Sequence, residues 1–152
     1  MDETTRAAAL EGLVPLVGEW VAEATFSFAP EPIRGRRTFA WELGGQILLD
    51  RSEVDLPEAP DSVAIVSVAD DGDYVQHYFD SRGVVRVYRM TLRDGEWTLL
   101  RDRPDFSPLD FHQRYVGRFS ADGRTITGRW EASRDGGATW EHDFGLSFRK
   151  VS

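Results

Sequence analysis

The sequence predicts an all-β protein: a single antiparallel up-and-down β-barrel of about ten strands, entered through a short N-terminal helix. Three observations predict it. Turn signals crowd the second two-thirds of the chain, at Asp71-Gly72, Arg82-Gly83, Asp94-Gly95, Asp122-Gly123 and Asp135-Gly136. The segments between them alternate with period two and show no helical periodicity. A meander this long exposes two edges unless it closes on itself, which favours a barrel over an open sandwich. The 152 residues make one domain. Residues 1–17 are read as a helix packing on a barrel of residues 18–152.

Thr4 or Thr5 is placed to cap a helix through Arg6-Ala7-Ala8-Ala9-Leu10, with Leu13 and Leu16 continuing its apolar side and Pro15 and Gly18 ending it. Strands follow at 19–28, broken by Pro30 and Pro32, at 36–43, and after a Gly44-Gly45 corner at 46–54. A Pro-rich connection around Pro57 and Pro60 leads to a strand at 62–68.

The last two hairpins predict registers. A turn at Asp122-Gly123 sets Phe119 against Ile126, Gly117 against Gly128 and Tyr115 against Trp130, with Arg114 facing Glu131 on the opposite side. A five-residue loop from Arg134 to Ala138 sets Ala132 against Trp140, Trp130 against His142 and Gly128 against Phe144. Arg129 then meets Asp143, at the cost of Glu131 opposite Glu141. The result is a buried row Tyr115–Trp130–His142. In the central hairpins, two-residue turns put Val66, His77, Tyr88 and Arg101 in one inward row, beside Val68, Val75, Met90 and Leu99. A three-residue Ser81-Arg82-Gly83 loop would instead turn Gln76 and Tyr78 inward, so whether His77 or Tyr78 faces the interior stays open.

Composition excludes several classes. A net charge of −8 argues against nucleic acid, which needs a basic surface to neutralise phosphate, and against anionic membranes. The chain has no cysteine, hence no disulfide, thiolate or iron–sulfur chemistry. No apolar run reaches a membrane span and the opening residues are too polar for a signal peptide, so a cytoplasmic location is expected. The histidines, His77, His112 and His142, lack metal-ligand spacing, His112 falls on the outer face, and no metal site is expected. No nucleophile elbow or phosphate loop is legible.

Gly18-Glu19-Trp20 resembles the Gly-x-Trp opening of calycins, the lipocalin and fatty-acid-binding-protein group, in which a basic side chain from late in the chain covers the Trp; Arg149 is its loose match. More specifically, Trp41-Glu42-Leu43-Gly44-Gly45, Tyr78-Phe79-Asp80-Ser81-Arg82-Gly83 and Gly128-Arg129-Trp130-Glu131-Ala132-Ser133, with Asp135-Gly136 and Trp140, resemble a family of small bacterial calycin-like barrels of unknown function. The resemblance implies a barrel with an internal cavity and carries no established activity. A second likeness is to haem-binding nitrobindin-type barrels. There His142 would be the iron ligand by position, although Ala22 and Ala24 stand where that motif has glycines.

These readings converge on a cavity that binds a small, largely apolar molecule, whose anionic character is left open. His77, Tyr88, Arg101, Phe106, Tyr115, Trp130 and His142 are the candidate ligand-binding residues. Arg101 matters most, since a guanidinium pointed into an apolar interior demands an anion, from a ligand or an internal carboxylate, unless it snorkels to the rim beside Asp102 and Asp105. In fatty-acid-binding barrels an internal Arg–Tyr pair holds the ligand carboxylate, and Tyr88 with Arg101 resembles it; Arg86 could join at the mouth. Phe106, between Pro104 and Pro108, is a lid or rim residue or else a hydrophobic plug. The alternatives are an isomerase or cyclase, with His142 or His77 as base and Tyr88 or Tyr115 as proton donor, and a haem protein. Apart from that haem alternative, no cofactor is expected. The partner expected is a small hydrophobic or aromatic ligand, without nucleic acid or membrane, and a homodimer is left open.

Overall fold

A computed structural model describes residues 2–151. Ten strands run as a meander: β1 (Gly18–Thr25), β2 (Ile33–Glu42), β3 (Ile47–Val54), β4 (Ser62–Val68), β5 (Tyr74–Asp80), β6 (Val85–Arg93), β7 (Glu96–Arg101), β8 (His112–Phe119), β9 (Thr125–Ser133) and β10 (Glu141–Lys150). Each strand pairs antiparallel with the next, and β1 pairs with β10 from Trp20 opposite Lys150 to Thr25 opposite Gly145, closing the barrel. Among the described residues no strand is left with an unpaired edge.

The helix is shorter than expected and differently capped. Helix α1 (Glu3–Glu11) takes Asp2 as its N-cap, whose carboxylate accepts from the Thr5 backbone N–H at 2.8 Å, so neither Thr4 nor Thr5 caps it. Gly12 ends it, and Leu13 and Leu16 belong to a following 3-10 turn at Val14–Leu16. Both leucines are fully buried and plug one end of the barrel with Trp20 and Phe148. The Trp20 Nε1–H donates to the Leu16 carbonyl at 2.9 Å, and the Lys150 ammonium lies 5.4 Å from the ring centroid. Lys150, rather than Arg149, covers the tryptophan, because Arg149 sits one residue away on the outward face.

Loop parity decides which side chains enter the barrel, because a one-residue change in a hairpin loop turns the following strand over. The β8–β9 register is as expected, Tyr115 opposite Trp130 and Gly117 opposite Gly128. Its loop nevertheless has four residues, with Ser120 paired to Thr125. Two and four share parity, so the faces are unchanged. The β6–β7 turn at Asp94-Gly95 has φ of 54° and 75°, the type I′ signature, and pairs Leu92 with Trp97 and Met90 with Leu99. The loops flanking β5 have three residues each. Ala69 N–H bonds to the Asp73 carbonyl across Asp70-Asp71-Gly72, and Asp80 N–H bonds to the Val84 carbonyl across Ser81-Arg82-Gly83. The two odd loops compensate each other, so β4 and β6 keep their expected faces and β5 alone is inverted.

A second inversion lies at the start of β10. His142 opposes Glu131 while Phe144 opposes Trp130, so Asp143 is an extra, bulged residue. The bulge leaves Phe144, Leu146 and Phe148 inward but sends His142 out. It also dissolves the expected contacts of Arg129 with Asp143 and Glu131 with Glu141. Gly145 opposes Arg129, and Glu131 instead takes Arg114 at 2.8 Å and Arg129 at 3.7 Å. Trp140 lies outside beneath the Arg114 guanidinium, 4.0 Å from its ring centroid.

Core aromatics fill the barrel between its plugged end and its middle. Trp97 packs on Phe39, Tyr115 and Phe148 with centroids 5.1–6.0 Å apart. Gly117 and Gly128 are needed there, since a Cβ on Gly117 would fall 2.8 Å from the Tyr115 ring and one on Gly128 would meet the same ring. The exterior is two-sided. β1, β2 and β8–β10 face outward with charged and hydroxyl side chains, whereas Val75, Val87 and Leu100 face outward beside Phe79, 39% exposed, and Phe106, 72% exposed. No helix among the described residues is long and apolar enough to cross a membrane.

Candidate functional site

Above the aromatic core the barrel is hollow, with a cavity of about 410 Å³ whose lining extends to the exposed Arg34 and Arg82 and to Ala59-Pro60. Its walls differ. β1, β9 and β10 supply Ala22, Ala24, Trp130, Phe144 and Leu146, an apolar wall extended by Phe26, which stacks on Phe144 at 4.8 Å. β2, β3, β5, β6 and β8 supply Arg37, Ser52, Gln76, Tyr78, Arg86, Tyr88 and Gln113, a polar wall. A depression of about 450 Å³ around Arg51, Asp61 and Phe79 lies outside the barrel, and the buried Asp80 carboxylate at its edge is already taken by Tyr78 and Arg82.

Each polar group on the wall has a definable state. Arg37 and Asp50 form a buried pair with two parallel hydrogen bonds, 2.6 Å from Nε and 2.7 Å from Nη2, and their side chains are 13% and 2% exposed. The guanidinium also lies 5.5 and 5.2 Å from the ring centroids of Phe39 and Phe148. Burial would lower the Arg37 pKa, but the Asp50 charge beside it raises it overall, and the group stays charged. Tyr78 donates to Asp80 at 2.9 Å, and Arg82 holds the same carboxylate at 2.7 Å. Burial pushes the Asp80 carboxyl up, yet the hydrogen bonds from Arg82 and Tyr78 outweigh it and hold the pKa at about 2. Burial raises the Tyr78 and Tyr88 hydroxyls, which remain protonated donors at neutral pH.

Arg86 is different. Its Nη1 donates to Gln113 Oε1 at 2.7 Å, and the Tyr88 hydroxyl donates to that same oxygen at 3.2 Å. Among the described residues no carboxylate lies within ion-pair distance of Arg86. With Arg37 balanced by Asp50 and Arg82 by Asp80, Arg86 leaves the cavity one positive charge in surplus. Gln76, 2% exposed, also lines the cavity, and its Nε2 has no hydrogen-bond partner.

Of the residues expected to form the site, Tyr88 and Trp130 line the cavity. Tyr115 sits beneath it, packed on Trp130 at 5.5 Å with its hydroxyl donating to the Leu146 carbonyl at 2.9 Å. Arg101 points inward but is closed off, because Asp105 grips it through two hydrogen bonds of 2.8 and 2.9 Å. That bond holds the Asp105 carboxyl below the usual carboxylate range. Asp105 also accepts from the Val87 N–H at 2.9 Å, filling the gap where β6 and β7 part. Arg101 is therefore a tether for the 102–111 loop and not a ligand clamp. Phe106 lies on the outer surface, neither lid nor plug. His77, opposite Ile65 and Val87, faces out because β5 is inverted, and His142 faces out because of the bulge at Asp143. Among the described residues no histidine lines the cavity. The proposed bases of the acid–base reading and the axial ligand of the haem reading are consequently absent from it.

The groups not named as site residues are Arg37, Gln76 and Gln113, with Tyr78 left open and Arg86 placed only at the mouth. Parity could have found two of them. Arg37 shares a face with Phe39 and Trp41, and Gln113 shares one with Tyr115 and Gly117. Gln76 required the loop lengths around β5.

Fold and site together define the class: a closed ten-stranded antiparallel β-barrel whose open half is a cavity with one apolar and one cationic wall. No family model matches the sequence and none of the curated proteins matches it. Among solved structures, the chain is similar to Rv2717c from M. tuberculosis, with a TM-score of 0.63 at 14% identity, covering 95% of this chain and 98% of that one. At that identity the likeness shows the shared fold alone.

Proposed function

We propose that this chain is a calycin-like binding protein whose barrel holds a small, largely apolar, anionic molecule. The observation that carries the reading is Arg86, a cavity guanidinium without a carboxylate partner facing a wall of Trp130, Phe144 and Leu146. A guanidinium cannot shed its proton, so the surplus charge is met either by water or by a ligand anion, and an anion on a guanidinium makes the stronger, charge-assisted bond. Apolar bodies are driven into the cavity by the surface they remove from water. The anion comes to rest against Arg86 with its apolar part along Trp130 and Phe144. Resemblance to fatty-acid-binding barrels supports the same arrangement, with Arg86 in the place expected of Arg101.

The test is competition against a neutral dye, Nile red, by decanoate and by decanol. Decanoate should displace the dye at a concentration roughly tenfold lower, the worth of one charge-assisted contact. Arg86→Gln should erase that preference. Equal displacement by acid and alcohol in the unmodified protein, or a preference that survives Arg86→Gln, rules the reading out.

A further inference from the structure

Arg86 accounts for one end of a ligand; Gln76 asks about the other. Its carboxamide is buried at the cavity wall with Nε2 unpartnered, while the neighbouring Gln113 amide oxygen receives two donors. A buried amide without a partner is costly, and such groups in native proteins answer to a water or a ligand. We propose that the bound molecule is a para-hydroxyphenyl carboxylic acid, its hydroxyl seated at Gln76 and its carboxylate at Arg86. This inference rests on the binding function proposed above and specifies its ligand.

Three features select that chemistry. The first is the amide itself. Half a turn about its last bond exchanges nitrogen and oxygen without changing its shape, so it can present a donor or an acceptor, and a hydroxyl is both. The second is charge. Besides Arg86, that wall carries Arg37, already matched by Asp50 at 2.6 and 2.7 Å, so Arg37 leaves no free positive charge for a second carboxylate. A second carboxylate there would face Asp50, whereas a neutral hydroxyl does not. The third is reach and shape. Gln76 lies opposite Tyr88 and Tyr78 opposite Arg86, so the backbone positions that carry the two polar groups are two residues apart along the sheet, about 7 Å. That is the reach of one para-substituted benzene ring. The opposite wall offers Trp130 and Phe144 at a near-parallel 28°, a surface for a flat ring.

Calorimetric titration of the full chain with 4-hydroxybenzoate and with benzoate tests it. The hydroxylated acid should bind about tenfold more tightly, the cost of leaving a buried polar group unmet by its partner. In Gln76→Leu the ratio should collapse to about one. Gln76→Met, of closer shape, serves if the leucine variant melts early. A ratio under about threefold in the unmodified protein, or one that persists in both variants, overturns the assignment. Binding of both acids without preference sinks this inference and leaves the general one standing; no binding by these acids or by decanoate sinks both.

Discussion

Asp50→Ala is the most informative single substitution, because it separates what the buried pair does for the fold from what it does for the cavity. Asp50 is 2% exposed and its only strong partner is Arg37, itself 13% exposed and sandwiched between Phe39 and Phe148. Removing the carboxylate leaves a guanidinium that cannot deprotonate in a nearly closed interior, a loss of about 3–5 kcal/mol for buried pairs. The cavity still wets one side of Arg37, so the low end, about 3 kcal/mol, is expected. For a chain of this length each kcal/mol moves the melting temperature by about 2–4 °C, which puts the fall at about 6–12 °C. Replacing both partners at once, Arg37→Met with Asp50→Leu, restores an apolar core and should return stability to within about 1 kcal/mol of the unmodified protein. Urea unfolding followed by tryptophan fluorescence reads both, with the slope expected to stay constant. A loss under about 1 kcal/mol for Asp50→Ala, or a double variant as unstable as the single one, would show that the pair is not the electrostatic unit described. Asp50→Asn adds a functional reading: it preserves shape, frees the Arg37 charge and should tighten decanoate binding.

Three further perturbations have calculable signs. The Asp80 carboxyl, held at about 2 against an ordinary 3.8, is depressed by folding. Its stabilisation is therefore complete above the ordinary value and is lost as pH falls through about 4 to 2, amounting to about 2 kcal/mol. Urea midpoints at pH 7, 4, 3 and 2 should fall across that window and fall less in Asp80→Asn; an unchanged slope would remove Asp80 from the account. Asp105→Ala strands both the Arg101 guanidinium, 3% exposed, and the Val87 N–H, at a cost of about 3–5 kcal/mol, and should speed amide exchange through residues 102–111. Arg101→Met should leave decanoate affinity within about twofold of the unmodified protein, since Arg101 does not line the cavity; a loss of tenfold or more would return Arg101 to the site.

How much of this was legible beforehand divides along loop parity. The barrel, the strand count, the β6–β7 and β8–β9 registers and the inward faces of β4, β6, β7 and β8 were readable, because Asp-Gly turns and alternation agree there. Even the misjudged loop at Asp122-Gly123 did no harm, four residues having the parity of two. β5 could not be settled from its own residues. Its two faces are Tyr74, Gln76 and Tyr78 against Val75, His77 and Phe79, and the usual rule sends the second set inward. The bulge at Asp143 carried even less signal, since alternation continues unbroken from Trp140 to Phe148 in the sequence.

The inversion of β5 runs against hydrophobic patterning, and that is where its meaning lies. A strand in a filled barrel would turn Val75, His77 and Phe79 inward and leave Gln76 and Tyr78 in water. Here the three-residue loops on either side, each ending in a glycine at φ of 88° or 84°, hold the opposite face inward. Asp80 reinforces this by accepting from the Arg82 and Val84 backbone N–H groups while receiving the Tyr78 hydroxyl, so the loop and the inward tyrosine share one carboxylate. Local turn chemistry thus overrides the burial preference of a whole strand. The cost is apolar surface outside and an unpartnered amide inside, and natural chains keep such departures chiefly where a site needs them. The part of the polar wall that Gln76 and Tyr78 supply exists because β5 was turned, and a chain selected only for a well-packed core has no reason to turn it.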